Sequence, residues 1–253
     1  MIRTSARRTA ITASAAAGLF VGGVLAAGCP SEKPSAAAAS GASETAATAD
    51  AARPPVHFFV GADVSGSTTH QERRKFYFAL EDALFKKLAR KTPVTIWLYD
   101  TVARRIADEQ TFRRKPDLQI VKKEYLAYES DSRGTRQAEV LTPMLAQARK
   151  LAATGAPVAC LLLTDGEDDD PGATKKVARA LAALDNVKVV WIVGALAENQ
   201  DRLLIREGLS ASLEPLGDKG IVTGTSGLER DSGLEKFGAL VAADGALGMG
   251  REP

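Results

Sequence analysis

Residues 56–68 read Val56-His57-Phe58-Phe59-Val60-Gly61-Ala62-Asp63-Val64-Ser65-Gly66-Ser67-Thr68. The first five are almost all large and apolar. A strand with one wet face would alternate, so a run of this kind is the pattern of a strand buried on both faces. Oxygen donors follow directly: a carboxylate at 63 and hydroxyls at 65 and 67, with Gly66 permitting a sharp turn between them. Donors at alternate positions of such a turn point at one spot.

Runs of the same kind recur outward from this stretch, at 94–99, 158–163 and 187–193, and more weakly at Ile221-Val222. Residues 101–106 alternate instead and follow their neighbour by a tight turn near Asp100, which predicts an antiparallel edge strand. Between the runs lie segments of helical periodicity. Phe76, Leu80, Leu84 and Leu88 recur every fourth residue. Leu141, Met144, Leu145, Ala148 and Leu151 line one face of a second helix, Val177, Leu181 and Leu184 a third, and Leu234, Phe237 and Val241 a last one. A further helix is expected over 203–213, whereas 122–136 reads as an irregular loop. Strand and helix alternating in this way predict an α/β fold, a doubly wound, mostly parallel six-stranded sheet with helices on both faces.

In such sheets a ligand sits outside the carboxyl ends of the strands, where strand order reverses. Thr164-Asp165-Gly166, just past the run at 158–163, places a second acid at such an end. Two carboxylates meeting there repel unless a cation or a proton lies between them. Donors that are all oxygens suit Mg²⁺, Mn²⁺ or Ca²⁺. His57 and His70 are the only histidines, and no zinc-ligand spacing occurs. Two blander roles compete: Ser65 and Ser67 also suit helix N-caps. The acidic run at 167–170 could extend the metal site or bind a second ion, but reads first as a solvated loop and helix start, with Pro171 opening the helix; His70 reads as a surface residue.

Asp63-Val64-Ser65-Gly66-Ser67 resembles the Asp-x-Ser-x-Ser pattern of the von Willebrand factor A (vWA) domain, at its metal-ion-dependent adhesion site (MIDAS). That family adds a threonine ahead of its third main helix, which Gly134-Thr135 matches, and an aspartate after the fourth strand, which Asp165 matches. The resemblance covers roughly residues 55–241 and has the Rossmann-like, six-stranded sheet read above. It implies a metal site of Asp63, Ser65, Ser67, Thr135 and Asp165. The three hydroxyls would ligate directly and the two acids partly through water. It further implies one divalent cation, Mg²⁺ first with Mn²⁺ or Ca²⁺ as alternatives, and a binding function rather than catalysis. The partner is then a protein that brings an Asp or Glu carboxylate to the ion.

The alternative is a metal-dependent phosphatase of the haloacid dehalogenase type, which also places an aspartate after its first strand. That chemistry needs a second acid two residues on, where this chain has Ser65. The nucleophile elbow of serine hydrolases, the P-loop and the dinucleotide fingerprint are all missing.

The N-terminus reads as a targeting segment. Arg3, Arg7 and Arg8 precede a weakly apolar run at 10–24, and Leu25-Ala26-Ala27-Gly28-Cys29 resembles a lipobox, with Cys29 as the lipidated residue. Arg7-Arg8 also resembles a twin-arginine export signal. The run is short and broken by Thr12, Ser14 and glycines, which disfavours a retained membrane span. The expected organisation is a signal peptide over 1–28, a disordered Ala/Ser-rich tether over 29–54, the vWA-like domain over 55–245 and a tail over 246–253. The tether lacks large apolar residues and cannot bury enough surface to order itself. The expected location is the bacterial cell envelope, lipid-anchored and facing periplasm or exterior. Without the three N-terminal arginines the net charge falls from +2 to about −1. Basic pairs such as Arg104-Arg105 and Arg113-Arg114 are scattered and lack aromatic platforms, which argues against nucleic acid. With Cys29 lipidated, Cys160 has no disulfide partner and reads as a small core residue.

Overall fold

The computed structural model describes residues 54–242 except 131, 133 and 195–199, and gives only the backbone of 200–206. The signal segment with Cys29, the tether up to residue 53 and the 246–253 tail lie outside the described residues. The elements run β1 (His57–Asp63), α1 (His70–Asp82), β2 (Val94–Tyr99), β3 (Ala103–Gln110), α2 (Gln119–Ala127), α3 (Gln137–Ala152), β4 (Val158–Thr164), α4 (Pro171–Ala182), β5 (Val187–Gly194), α5 (Gln200–Leu213), β6 (Gly220–Gly224) and α6 (Gly227–Ala242). One sheet of order β3-β2-β1-β4-β5-β6 holds all six strands. Every neighbouring pair is parallel except β2–β3, so the expected architecture and its antiparallel edge are both present.

Continuous apolar runs became strands wet on neither face: every residue of β2 and β4 is buried. The two faces carry separate cores. On one, Phe58, Val60, Leu161 and Trp191 meet Phe76 and Leu80 of α1, Tyr125 of α2 and Phe237 of α6. On the other, Phe59, Cys160, Leu162 and Ile192 meet Leu141 and Met144 of α3, Leu181 of α4 and Leu209 of α5. Burying each large side chain contributes on the order of 1.5–3 kcal/mol. Gly61 lets α3 settle close to the middle of the sheet, because a Cβ there would come within 2.8 Å of Val140 Cγ2. Cys160 is a buried free thiol, as its place in an apolar strand required.

Four local expectations need correction. The segment 122–136 is not wholly irregular: α2 occupies its first part. Only Val121 and Tyr125 of that helix are buried, too few to show a period. The β3 strand is shifted to Ala103–Gln110, because pairing with β2 extends past an irregularity as far as Gln110, opposite Val94. Helix α1 ends at Asp82; a π-helical turn over Ala83–Lys87 carries Leu84, and Leu88 is extended at its end. Strand β1 runs on to Asp63, so the first acid is the last residue of its strand rather than a loop residue.

From β1 the chain steps outward to β2 and β3, then crosses by α3 to β4 on the other side of β1. Order therefore reverses between β1 and β4, which are paired as far as Ala62 opposite Leu163. Asp63 and Asp165 stand at the carboxyl ends of these two neighbours, where the crevice of a doubly wound sheet forms.

Candidate metal centre

Four of the five expected residues meet at this reversal. Asp63 is wholly buried; its Oδ1 accepts from the Ser65 N–H at 2.8 Å and its Oδ2 from the Thr164 hydroxyl at 3.3 Å and the Asp165 N–H at 3.4 Å. The Ser65 hydroxyl lies 3.1 Å from that of Ser67 and 3.2 Å from that of Thr68. Ser67, exposed at the mouth, donates to Asp165 Oδ2, and Asp165 Oδ1 accepts from the Glu167 N–H at 3.1 Å. Neither serine caps the helix that follows. Thr69 does so, accepting from the Glu72 N–H while the Glu72 carboxylate receives the Thr69 N–H. Both serines are thereby released from the bland role that their residue type allowed.

The fifth residue, Thr135, makes no hydrogen bond to the other four. Its loop docks on the metal loop through Gly66 N–H to Ser132 carbonyl at 3.0 Å. Its hydroxyl is buried with no hydrogen-bond partner among the described residues. An orphaned buried hydroxyl costs roughly 1–3 kcal/mol and asks for a ligand. The neighbouring hydroxyls of that loop have other tasks: Ser130 donates to Asp100 Oδ2 at 2.5 Å, and Ser132 accepts from the Gly134 N–H at 3.2 Å.

Burial, and then the facing charge of Asp165, push the Asp63 carboxyl up to about 7, although hydrogen bonds from Ser65 and Asp165 oppose this. A cation between the acids would remove the penalty. Among the described residues no three His, Cys, Asp or Glu side chains gather to hold a metal, so an ion here depends on the hydroxyls as well. Two facing carboxylates, clustered hydroxyls and the orphaned Thr135 oxygen fit a hard divalent cation. Asp63, Ser65, Ser67, Thr135 and Asp165 are the residues that would hold it.

No family model matches the chain, and no curated protein matches it either. Solved structures do match. They include an aerotolerance-related membrane protein from Bacteroides fragilis (14% identity over 72% of this chain and 98% of that one, TM-score 0.53) and the conserved hypothetical protein BatB from Bacteroides thetaiotaomicron (16%, 74% and 98%, 0.52). Proximal thread matrix protein 1 from the mussel byssus matches at 13% identity over 75% of this chain and 48% of that one, with a TM-score of 0.53. The chain has the vWA fold. At these identities the likeness is one of fold, and the chain spans about half the length of the mussel protein. That protein has also been solved with a zinc-occupied MIDAS motif, at a TM-score of 0.51.

Within this vWA fold, three residues near the centre escaped the sequence reading. Thr68 joins the hydroxyl cluster. Arg73 of α1, buried under the metal loop, donates to the carbonyls of Val64 at 2.8 Å and Tyr128 at 2.5 Å, tying that loop to the end of α2. Asp169 accepts from the Thr135 N–H at 3.0 Å, and Asp170 caps α4 through the Ala173 N–H at 3.0 Å. The run at 167–170 is thus the helix start that Pro171 announced, and Asp169 in it also grips the Thr135 loop. Arg73 lies three residues before Phe76, on the apolar face of α1, where a charge stands out; nothing local marks Asp169.

A pH dependence follows for the metal-free domain. Asp63 titrates near 4 when unfolded and about 7 when folded, so the folded state holds the proton more tightly. Its contribution to stability is full below about pH 4 and is lost as pH rises to about 7. In chelator, the denaturation midpoint of the wild type relative to Asp63→Asn should fall across that window. A flat difference between pH 4 and 8 would show that neither burial nor Asp165 raises the Asp63 carboxyl.

Proposed function

We propose that this chain is a membrane-tethered vWA binding module of the bacterial cell envelope that recognises a protein partner through one divalent cation. The ion, Mg²⁺ first with Mn²⁺ or Ca²⁺ as alternatives, would be held by Asp63, Ser65, Ser67, Thr135 and Asp165. The observation that carries this reading is the convergence of Asp63, Ser65, Ser67 and Asp165 at the strand-order reversal, with the unpartnered Thr135 hydroxyl on the loop that docks there. The zinc-occupied MIDAS motif of the mussel protein supports it.

When bound, the cation supplies a positive charge only partly offset by its holders and a position open to exchange. The chain's own residues indicate which side of such an ion would be open. Asp63 is closed in by backbone N–H groups, while Ser67 is exposed, so a partner approaches from the Ser67 side. A carboxylate is the fitting partner group, because it adds the charge that hydroxyl donors withhold. The phosphatase alternative has no general acid here: Ser65, at the position required, has its hydroxyl among those of Ser67 and Thr68.

Crosslinking of the intact protein in its own cells, with and without chelator, tests this reading together with hydrolysis of a generic phosphate ester. Metal-dependent capture without hydrolysis is expected; metal-dependent hydrolysis would reverse the assignment. The tethering has a separate test. Cys29→Ser should release the protein from membrane fractions, since the acyl chains of a lipoprotein hold firmly only in combination. A variant that stays bound to the same extent would make the apolar run at 10–24 the anchor instead. Among the described residues no helix is long and apolar enough to cross a membrane.

A further inference from the structure

The loop from α2 to α3 docks on the turn after β1 through Ser132, yet the Thr135 hydroxyl on it has no protein partner among the described residues to fix its position. What fixes it is the backbone of the same residue. The Thr135 N–H donates to Asp169 Oδ2 at 3.0 Å, and the Asp169 N–H donates to the Thr135 carbonyl at 2.8 Å. This reciprocal pair holds both backbone polar groups of one residue from one neighbour. We propose that Asp169 is the positioning residue of this centre: it latches the Thr135 loop and so sets where the Thr135 hydroxyl stands. The inference rests on the metal reading for what that hydroxyl does, but not for the latch itself.

Three observations favour a latch over a second cation site. Three of the four acids of the run are turned to different backbone N–H groups: Asp169 to Thr135, Asp168 to Gln137 at 3.4 Å and Asp170 at 3.2 Å, and Asp170 to Ala173 at 3.0 Å. Carboxylates arranged to accept from separate N–H groups do not converge on an ion. Residue 134 is a glycine where any side chain would collide with the latch, since a Cβ would come 2.3 Å from Asp169 Oδ2. Asp169 also sits between β4 and the capped start of α4, so it is anchored to the element that supplies Asp165. The Gln137 side chain adds a second tie, donating to the Glu167 carbonyl at 3.3 Å. Ligand positions drawn from two separate segments are thereby kept in register.

The test separates hydrogen bonding from charge. An asparagine oxygen accepts the same N–H that the carboxylate does, but carries no charge. Mn²⁺ titration of the wild type, Asp169→Ala and Asp169→Asn is paired with amide hydrogen exchange at Thr135 in chelator. Asp169→Ala should weaken Mn²⁺ binding by roughly ten- to a hundredfold, the usual cost of losing a group that orients a metal ligand. It should also expose the Thr135 amide to exchange. Asp169→Asn should keep both close to wild type. The double variant Thr135→Ala/Asp169→Ala should bind Mn²⁺ no worse than Thr135→Ala alone, because Asp169 acts through Thr135. Equal losses in the Asn and Ala variants would make the role electrostatic and overturn the latch, as would an unprotected Thr135 amide in the wild type. If Asp169→Ala fails to fold, Gly134→Ala replaces it, since the added methyl displaces the carboxylate. A wild type that binds no Mn²⁺ would sink the metal reading, and the exchange data would still decide the latch.

Discussion

Mg²⁺ or Mn²⁺ at one hundred times its Kd should stabilise the wild-type domain by about 2.7 kcal/mol and leave Asp63→Ala where it was. For a domain of this size that is a rise in Tm of roughly 5–10 °C. At that ratio the size follows from mass action alone; what the site sets is the Kd, and burial and the facing Asp165, which oppose ionisation of Asp63, favour uptake of an ion. An ion bound only to the native state would offset that repulsion and, on the proposed reading, give the orphaned Thr135 oxygen a partner. In Asp63→Ala the buried acid is gone and the remaining donors are mainly neutral hydroxyls. Thermal melts of both proteins in chelator and in each ion decide the matter. Equal rises in the two would place the effect at another set of oxygens, the 167–170 run first among them.

Partner binding should fall at least roughly tenfold in Ser67→Ala and also in Ser67→Asp, with the fold intact in both. Ser67 is exposed, and the capping of α1 belongs to Thr69, so losing its hydroxyl removes a contact to Asp165 without opening the helix. On the proposed reading the alanine would take away a direct donor to the ion. The aspartate should act differently, placing an internal carboxylate where the partner's would go and so excluding it. Affinity for the crosslinked partner, with chelator as the reference, provides the measurement. Undiminished binding in both variants, or in chelator, would point to a face of the domain that does not use the metal.

Much of the architecture was legible because its causes are local. A strand buried on both faces must be apolar throughout, and 94–99, 158–163 and 187–193 announced themselves in that way. The elements that were misjudged have weak local causes. Helix α2 buries only Val121 and Tyr125, and the edge strand β3 is set by its pairing with β2 rather than by its own mostly exposed side chains. The turn at Ala83–Lys87 shows that i,i+4 spacing survives a change from α to π winding, so spacing alone could not mark where α1 ends.

The centre divides along the same line. Asp63 ends β1 and Ser65 and Ser67 lie on the turn just after it, and Asp165 follows a strand whose place beside β1 the βαβ rules make expected. Those four could be read from the chain, because one turn and one strand pairing suffice to bring them together. Which neighbour holds Thr135 could not. Its partner Asp169 lies 34 residues away across two helices' ends, in a run whose composition suits a solvated loop equally well. Arg73 likewise acquires its role only when α1 folds back beneath the metal loop toward Tyr128. Hydrogen bonds between distant segments depend on where packed elements end. No residue type or spacing encodes that, because it is the sheet order and the two cores that bring those ends into reach.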